Sequence, residues 1–472
     1  MAAAELDTLE PWVLPRDMVR VLFPVAQPEG ALPALSTLAG SVPRWNSASA
    51  AGTPVTVSYA FAGSAPAYDP GPTITDPTGY AAFTAGEQAV VLQAMALYEA
   101  STGLHFQAAS DVATAQIVLR KVPLSSGTAG FAFYPPQGTE IAEHGDVFLD
   151  PGSAATMNTV LHELGHALGL DHPFDTTHPQ PEDYGFTSGL HLTQMDYAPL
   201  PRTHYVEPGA GGSYTVTQLL APLGPMPLDV LALQMIYGAN AASAAGDTAY
   251  TYELAPRWYQ TLWDGDGIDT IDLSNQTLPN LVSLLPGSYS TIALRDPFAG
   301  LPEGIVSWIR DTLQLSEADF FDGSNMLAIA FDAVIENAIG GSAADRLEGN
   351  AADNRLEGRG GDDRLLGREG NDTLIGGAGE NELEGGAGAD RLDGTGGTSH
   401  ASYAGAATGV SVYLTWEAGN GGEAAGDHYI AIQGLVGSAY ADVLSGNEVA
   451  NTVQAGAGND WLFGREGQDT LG

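Results

Sequence analysis

Apolar positions recur along the first half of the chain at two different periods. From Thr84, the run TAGEQAVVLQAMALYEAS places Val91, Leu92, Met95 and Leu97 behind a capping box, with Thr84 able to accept from the first turn and Glu87 to reach back. That pattern predicts a helix. AQIVLRKV from Ala115, TAGFAFYP from Thr128 and GDVFLDP from Gly145 are β-branched or aromatic, are bounded by turn residues, and read as strands. SAATMNTVLHELGHALG, from Ser153, reads as a second helix. Helices packed on such strands give an α+β domain, placed at residues 1–240.

From about Asn337 the period changes to nine. Starting at Gly340 the chain divides without insertion into GGSAADRLE, GNAADNRLE, GRGGDDRLL, GREGNDTLI, GGAGENELE and GGAGADRLD. Position eight is always leucine, from Leu347 to Leu392, and position six is Asp345, Asn354, Asp363, Asp372, Asn381 and Asp390. A second block resumes at Gly437 with Asp442, Asn451, Asp460 and Asp469 at position six, and Val453 as its one departure from leucine. Such units build a calcium-binding parallel β-roll. Glycines make tight turns that expose carbonyls, the sixth side chain offers a hard oxygen, and the leucine fills a narrow core. Two units make one coil, so Asp345, Asp363 and Asn381 form one row and Asn354, Asp372 and Asp390 another. The asparagines, and Arg359, Arg368 and Arg465 at position two, predict that some sites are weak or missing. Between the blocks, residues around 398–436 alternate about a glycine-rich turn, as a hairpin leaving and rejoining the roll would. An all-β domain is therefore placed at 241–472.

Charge and composition restrict the partners. The 472 residues include 57 acidic and 16 basic side chains, a net charge of −41, so nucleic acid and anionic membrane surfaces are repelled and cations attracted. Cysteine does not occur, which removes disulfides and thiolate metal sites. No apolar run approaches the roughly 18 residues of a membrane helix, and the N-terminus carries no basic-then-apolar secretory leader.

The predicted second helix holds the chemistry. His162 and His166 are four apart and share a face, so two imidazoles can meet one zinc ion. Glu163 is too close in sequence to be a third ligand but well placed to take a proton from the attacking water. Gly169 permits a positive φ that turns the chain back and brings His172 to the same ion. Three neutral imidazoles leave a position open, which marks a catalytic site.

HELGHALGLDH resembles the long zinc motif of the metzincin metallopeptidases. LTQMDYAP follows one loop later, with Met195 for the family's methionine turn and Tyr197 for the tyrosine that some branches hold over the metal. Together with the nonapeptides, these features resemble the serralysins, secreted zinc endopeptidases in which a zincin-type α+β catalytic domain precedes a calcium-filled β-roll. The resemblance implies one catalytic zinc on His162, His166 and His172 with Tyr197 as a weak further ligand, Glu163 as general base, and Tyr197 as oxyanion donor. It implies several structural calcium ions. One at the junction takes backbone oxygens of Ala244, Gly246 and Thr248 with Asp264, Asp266, Gly267 and Asp269, and Glu336 feeds a neighbour. In the repeats, carbonyls at positions two and four join the side chain at six. Gly341 and Ala343 thus serve with Asp345, Asn350 and Ala352 with Asn354, and Arg359 and Gly361 with Asp363. Arg368 and Gly370 serve with Asp372, Gly377 and Gly379 with Asn381, and Gly386 and Gly388 with Asp390, while Asp442, Asp460 and Asp469 act in the second block. Substrates are extended proteins or peptides cleaved with broad specificity, laid as an added strand along GTAGFAFY. A secreted monomer is implied, exported in one step through a C-terminal signal not visible in this chain and open to a proteinaceous inhibitor.

Some segments stand apart from the resemblance. Residues 296–325 match nothing in the pattern, and His178 and His191 read as solvated loop histidines. An inert zinc domain on a roll-based adhesin is the first rival, against which the full set His162, Glu163, His166, His172 and Tyr197 argues. Another calcium-repeat hydrolase is the second, and the chain has no G-x-S-x-G elbow.

Overall fold

Thr84 and Glu87 form the reciprocal cap: Glu87 N–H donates to Thr84 Oγ1 at 3.3 Å and Thr84 N–H to the Glu87 carboxylate at 2.6 Å. The computed structural model containing this cap describes residues 11–24, 34–136, 145–154, 156–174, 179–187, 189–198, 200, 202–218, 222–254 and 256–472. After a short helix α1 (Leu35–Ser41) and strand β1 (Val55–Ala62), the capped helix is α2 (Ala85–Ser101). There follow β2 (Leu104–Ala108), β3 (Ile117–Lys121), β4 (Gly130–Ala132), β5 (Val147–Leu149), α3 (Met157–Ala167), β6 (His204–Pro208), β7 (Tyr214–Gln218) and α4 (Pro227–Tyr237). The first five strands make one sheet in the order β2-β1-β3-β5-β4, parallel except for the short edge strand β4. Helix α3 starts at Met157, later than its apolar pattern suggests, because the N–H groups of Ser153 and Ala154 close a tight turn on Asp150 O. Buried polar groups fix α3 against its neighbours: Tyr98 Oη donates to Leu161 O, Trp45 Nε1 to Ala167 O, and Tyr237 Oη to Leu168 O, at 2.8–2.9 Å.

In the second half the register follows the period of nine. Leu347, Leu365 and Leu383 stack on one parallel sheet, and Leu356, Leu374 and Leu392 on the facing one, all with no exposed surface. A fully buried leucine contributes roughly 1.5–3 kcal/mol, so one such stack per sheet is a thin core. The roll begins before its repeats. Leu281–Ser283 pairs with Arg346–Glu348, and Ala249–Thr251 and Thr270–Asp272 extend the facing sheet to Asn337–Ile339. The segment at 398–436 does not leave the roll. Thr398 and His400 stay in register with Glu380 and Glu382 on one sheet, Ser411–Tyr413, Ala418–Gly421 and His428–Ile430 add antiparallel pairings to the facing sheet, and Gly434 returns opposite His400.

Residues 296–325, unmatched by the repeat pattern, form α5 (Glu303–Asp311) over a small apolar cluster. Phe298, Ile309 and Phe320 are buried there against Val206 and Val216 of the β6–β7 hairpin. The N-terminal segment bridges distant parts of the chain. Leu14 N–H donates to Gly287 O and Tyr289 N–H to Trp12 O, while both Arg16 guanidinium nitrogens reach Asp332 at 2.7 and 2.9 Å. Among the described residues, no helix is long and apolar enough to cross a membrane.

Candidate functional site

Four-residue spacing on α3 puts the His162 and His166 rings 4.9 Å apart at 83°. Gly169 has φ 104°, and an added Cβ there would lie 2.4 Å from Pro43 O, so only glycine turns the chain at that point. The turn brings His172 back, with its Nε2 3.1 Å from His162 Nε2 and 3.0 Å from His166 Nε2. Two of the rings are aimed by their other nitrogen. His162 Nδ1–H donates to Gln194 O and His166 Nδ1–H to Leu170 O, both at 2.8 Å, which leaves each Nε2 lone pair directed at the common point. Burial pushes His162 down to about 4 and His166 well below its usual range, so both are neutral at working pH. Three converging neutral imidazole nitrogens fit zinc, and no other group of three or more His, Cys, Asp or Glu side chains among the described residues clusters this way.

Glu163 packs against β4 and lines the same cleft as His162. A Cβ on Gly130 would meet Glu163 Cγ at 2.7 Å, so the glycine of the edge strand makes room for the carboxylate. Glu163 Oε2 is buried without a hydrogen-bond partner, and burial raises its pKa to about 8. Gly127–Gly130, Asn158, Thr159, Leu190 and Asp196 line the cleft it shares with Tyr197. The Tyr197 ring stacks on His162 at 5.2 Å and 24°, and is 68% exposed.

Beneath the histidines, Met195 is fully buried, and a Cβ on Gly165 would sit 2.4 Å from its sulfur. This turn is held by Asp229, a residue that sequence reasoning missed. Its carboxylate, at the third position of α4, accepts from Thr193 Oγ1, from Gln194 N–H at 2.8 Å and from Met226 N–H at 2.9 Å. Since Gln194 O aims His162, Asp229 acts on the metal point through one intermediate residue. Pro227 and Asp229 are legible as a helix start, but their reach to residues 193–194 is not. Phe174, also unforeseen, stacks on His172 at 4.8 Å and 13°.

His191 corrects its expected place in solvent. It is 4% exposed, packs 5.5 Å from Trp12, has neither ring nitrogen hydrogen-bonded, and burial lowers its pKa to about 4. The cover comes from the distant N-terminal segment, which local polarity could not reveal. His178 lies outside the described residues.

The position-six side chains form the expected rows, joined by hydrogen bonds of one kind. Asp363 Oδ1 accepts from Asp345 N–H, Asp372 Oδ1 from Asn354 N–H, and Asp390 Oδ1 from Asp372 N–H, at 2.7–2.9 Å. Asp442 and Asn451 likewise donate to Asp460 and Asp469. The second oxygens of Asp363, Asp372 and Asp390 are buried without partners, the state expected of cation ligands. Burial raises Asp363 and Asp372 to about 7 and Asp345 to about 6. Glycine at position one gives that oxygen its space: a Cβ on Gly358 would stand 2.4 Å from Asp363 Oδ2, and one on Gly367 2.2 Å from Asp372 Oδ2.

The position-two and position-four backbones are equally constrained. Arg359 and Arg368 adopt φ 73° and 82°, close to the 89° and 97° of Gly377 and Gly386 at the same position of later units rather than to values usual for arginine, and Arg368 pairs with the buried Glu348. Gly377 and Gly386 pack on the carbonyls of Arg359 and Arg368. Gly341 N–H donates to Asp345, so that carboxylate is more fully occupied than its neighbours, and Asn350 N–H donates to Asn354. Ala343 and Ala352 lie directly beneath Gly361 and Gly370 of the next coil. Asp427 was not foreseen; it continues one row by accepting from Asp390 N–H at 2.9 Å, and Tyr403 occupies its other oxygen.

At the junction, Gly267 at φ 139° lets residues 264–269 approach Gly246. Thr248 N–H donates to Asp269 Oδ1, Asp266 N–H to Asp264 Oδ1, and Asp269 N–H to Glu336, while Asp269 Oδ2 is buried and unpartnered. Burial, with Asp264 and Glu336 nearby, raises Asp269 to about 6. Ala244 sits in the facing loop at φ 53°.

The RTX calcium-binding nonapeptide repeat family model matches residues 339–374, 366–399 and 436–471. Serralysin G of Dickeya chrysanthemi is 30% identical over 207 residues, 41% of this chain and 36% of that protein. Serralysin of Proteus mirabilis is 30% identical over 239 residues, 48% of this chain and 40% of that protein. Metalloprotease AprA of Pseudomonas entomophila is 28% identical over 209 residues, covering 41% and 36%. The chain spans less than half the length of these relatives. It carries RTX repeats and is similar to serralysin-type RTX metalloproteases.

Proposed function

We propose that the chain is a secreted zinc-dependent endopeptidase of the serralysin kind, with a zincin-type catalytic domain at 1–240 and a calcium-bound β-roll at 241–472. The observation that carries this reading is the convergence of three Nε2 atoms, two of them aimed by Nδ1–H bonds to carbonyls, beside an unpartnered buried carboxylate. His162, His166 and His172 would hold the zinc. When bound, it supplies a Lewis acid that polarises the scissile carbonyl and acidifies water.

The residues of the chain do the rest. Glu163 takes the proton of the attacking water and delivers it to the leaving amine, a task suited to a carboxylate raised toward neutrality. Tyr197, exposed at the cleft and stacked on His162, would donate to the developing oxyanion and would serve as a weak further ligand when zinc is bound. The substrate lies extended along β4, whose outer edge has no strand partner among the described residues, and main-chain pairing there tolerates many side chains, hence broad specificity. Calcium on the position-six rows and on Asp264, Asp266, Asp269 and Glu336 braces the roll. The working form is a monomer, and a proteinaceous inhibitor could enter the same cleft.

Digestion of a protein substrate after chelation, with zinc and calcium restored separately, tests the reading. Both ions should be needed. Glu163→Gln should keep zinc and calcium response yet lower turnover of a quenched peptide by about 10²–10⁴ at matched zinc content. Near-parental turnover in that variant would refute the mechanism, and no digestion by the parent under any ion condition would refute the activity.

A further inference from the structure

The outward side chains of the roll are mostly charged or hydroxylated beside each buried leucine, as at Arg346 and Glu348, Arg355 and Glu357, or Arg391 and Asp393. One unit differs. Residues 455–463 place Trp461 and Phe463 at those positions, 68% and 39% exposed. Phe463 is the register partner of Ser445, and Ser445 of Tyr413. Tyr413 and Phe463 therefore share one face of the sheet, two strand spacings or ~9.6 Å apart. The span is close to that of two pyranose units in an extended chain.

A third ring completes the face. Trp416 is 65% exposed and lies 4.8 Å from Tyr413 at 30°. Glu417 holds its turn at φ 51°, and Thr415 Oγ1 donates to Gly446 O at 2.9 Å. Arg465 is fixed by Ser445 Oγ at 2.8 Å and lies over Phe463 at 5.5 Å. The rings and the guanidinium are thus arranged before any ligand arrives.

Around the Trp416 cleft stand Thr415, Asn447, Glu448, Arg465 and Glu466, with no aliphatic side chain. An apolar protein partner would find no aliphatic side chain in that cleft. Phosphate polymers and anionic lipids meet two local carboxylates and a chain charge of −41. Aromatic plates rimmed by amide, carboxylate and guanidinium instead match a neutral sugar, whose C–H face stacks on the ring while its hydroxyls bond the rim. We infer that this face binds a neutral β-linked polysaccharide. Trp416, Tyr413 and Phe463 stack on its rings, and Asn447, Glu448 and Arg465 bond its hydroxyls.

The whole chain, in calcium, is titrated with cellohexaose and with chitohexaose while tryptophan fluorescence and heat are followed. At least one should bind saturably. Trp416→Ala should weaken binding tenfold or more with unchanged melting temperature and peptide turnover, and Trp416→Phe should recover part of it. If Trp416→Ala lowers the melting temperature, Asn447→Ala and Glu448→Gln on the rim replace it and must weaken binding several-fold. No response to either oligosaccharide at millimolar concentration overturns the proposal, as does equal binding by the variants. Dimerisation of the parent that Trp416→Ala abolishes, without sugar binding, would make this face an interface between copies.

Discussion

At the histidine site the atoms facing the cation point are neutral, and two of the three rings are held by hydrogen bonds to carbonyls. In the roll those atoms are carboxylate oxygens stacked 18 residues apart, buried, and in Asp363, Asp372 and Asp390 left without partners. The first arrangement is stable by itself: α3 is packed in the main core, and neutral rings cost little to bury. The second gathers like charges around a core one leucine deep. On the proposed reading, the first region is preformed for zinc, whereas the second would draw much of its stability near neutral pH from calcium.

Selective ion removal breaks this comparison most directly. Stripping calcium should erase much of the β circular dichroism and lower the melting temperature by tens of degrees, while stripping zinc alone should shift it by only a few. A calcium-indifferent melting curve would overturn the roll's dependence, and unfolding on zinc loss would overturn the preformed site.

A smaller effect tests what preforms the histidines. Asp229→Ala leaves the N–H groups of Gln194 and Met226 buried and unpaired, at a cost of roughly 3 kcal/mol. Zinc affinity should fall with stability, because Gln194 O no longer aims His162. Calorimetric melting and zinc titration measure the two. Unchanged zinc affinity in a destabilised variant would confine Asp229 to the fold.

The smallest effect is a pH response of the metal-free roll. Asp345 at about 6 and Asp363 and Asp372 at about 7 stand above the ordinary 3.8, so the folded roll binds more protons than the unfolded one. The stability these three groups contribute without metal is full below pH 3.8 and is lost as pH rises through 6 to 7. In chelator, the roll transition should therefore melt several degrees higher at pH 5 than at pH 8, and saturating calcium should remove the difference. A lower melting temperature at pH 5 in chelator would show that the buried carboxylates are not what destabilises the roll.

What was legible in the sequence is what depends on local period. Helical spacing fixed His162 against His166, and the period of nine fixed both the leucine stacks and the position-six rows. What escaped depends on chain segments meeting from afar. His191 looked like a loop residue because Trp12 and Tyr289 lie far away in sequence. Residues 296–325 looked unmatched because α5 completes its apolar cluster only with the β6–β7 hairpin. The strand Leu281–Ser283 was hidden for a similar reason, since it has no glycine-aspartate pattern and is recognisable only by its partner Arg346–Glu348. Asp427 escaped because the meander at 398–436 interrupts the count of nine.

The N-terminal bridge sets an order of assembly. Arg16 and Asp332 are 316 positions apart, and a contact that closes so long a loop costs chain entropy before it contributes stability. Trp12 cannot cover His191 and meet Tyr289 until the first coil has brought Tyr289 to the surface of the core. The segment then acts as a latch closed by completed folding. Until it closes, Phe186 and His191 lack the Trp12 ring that packs on both.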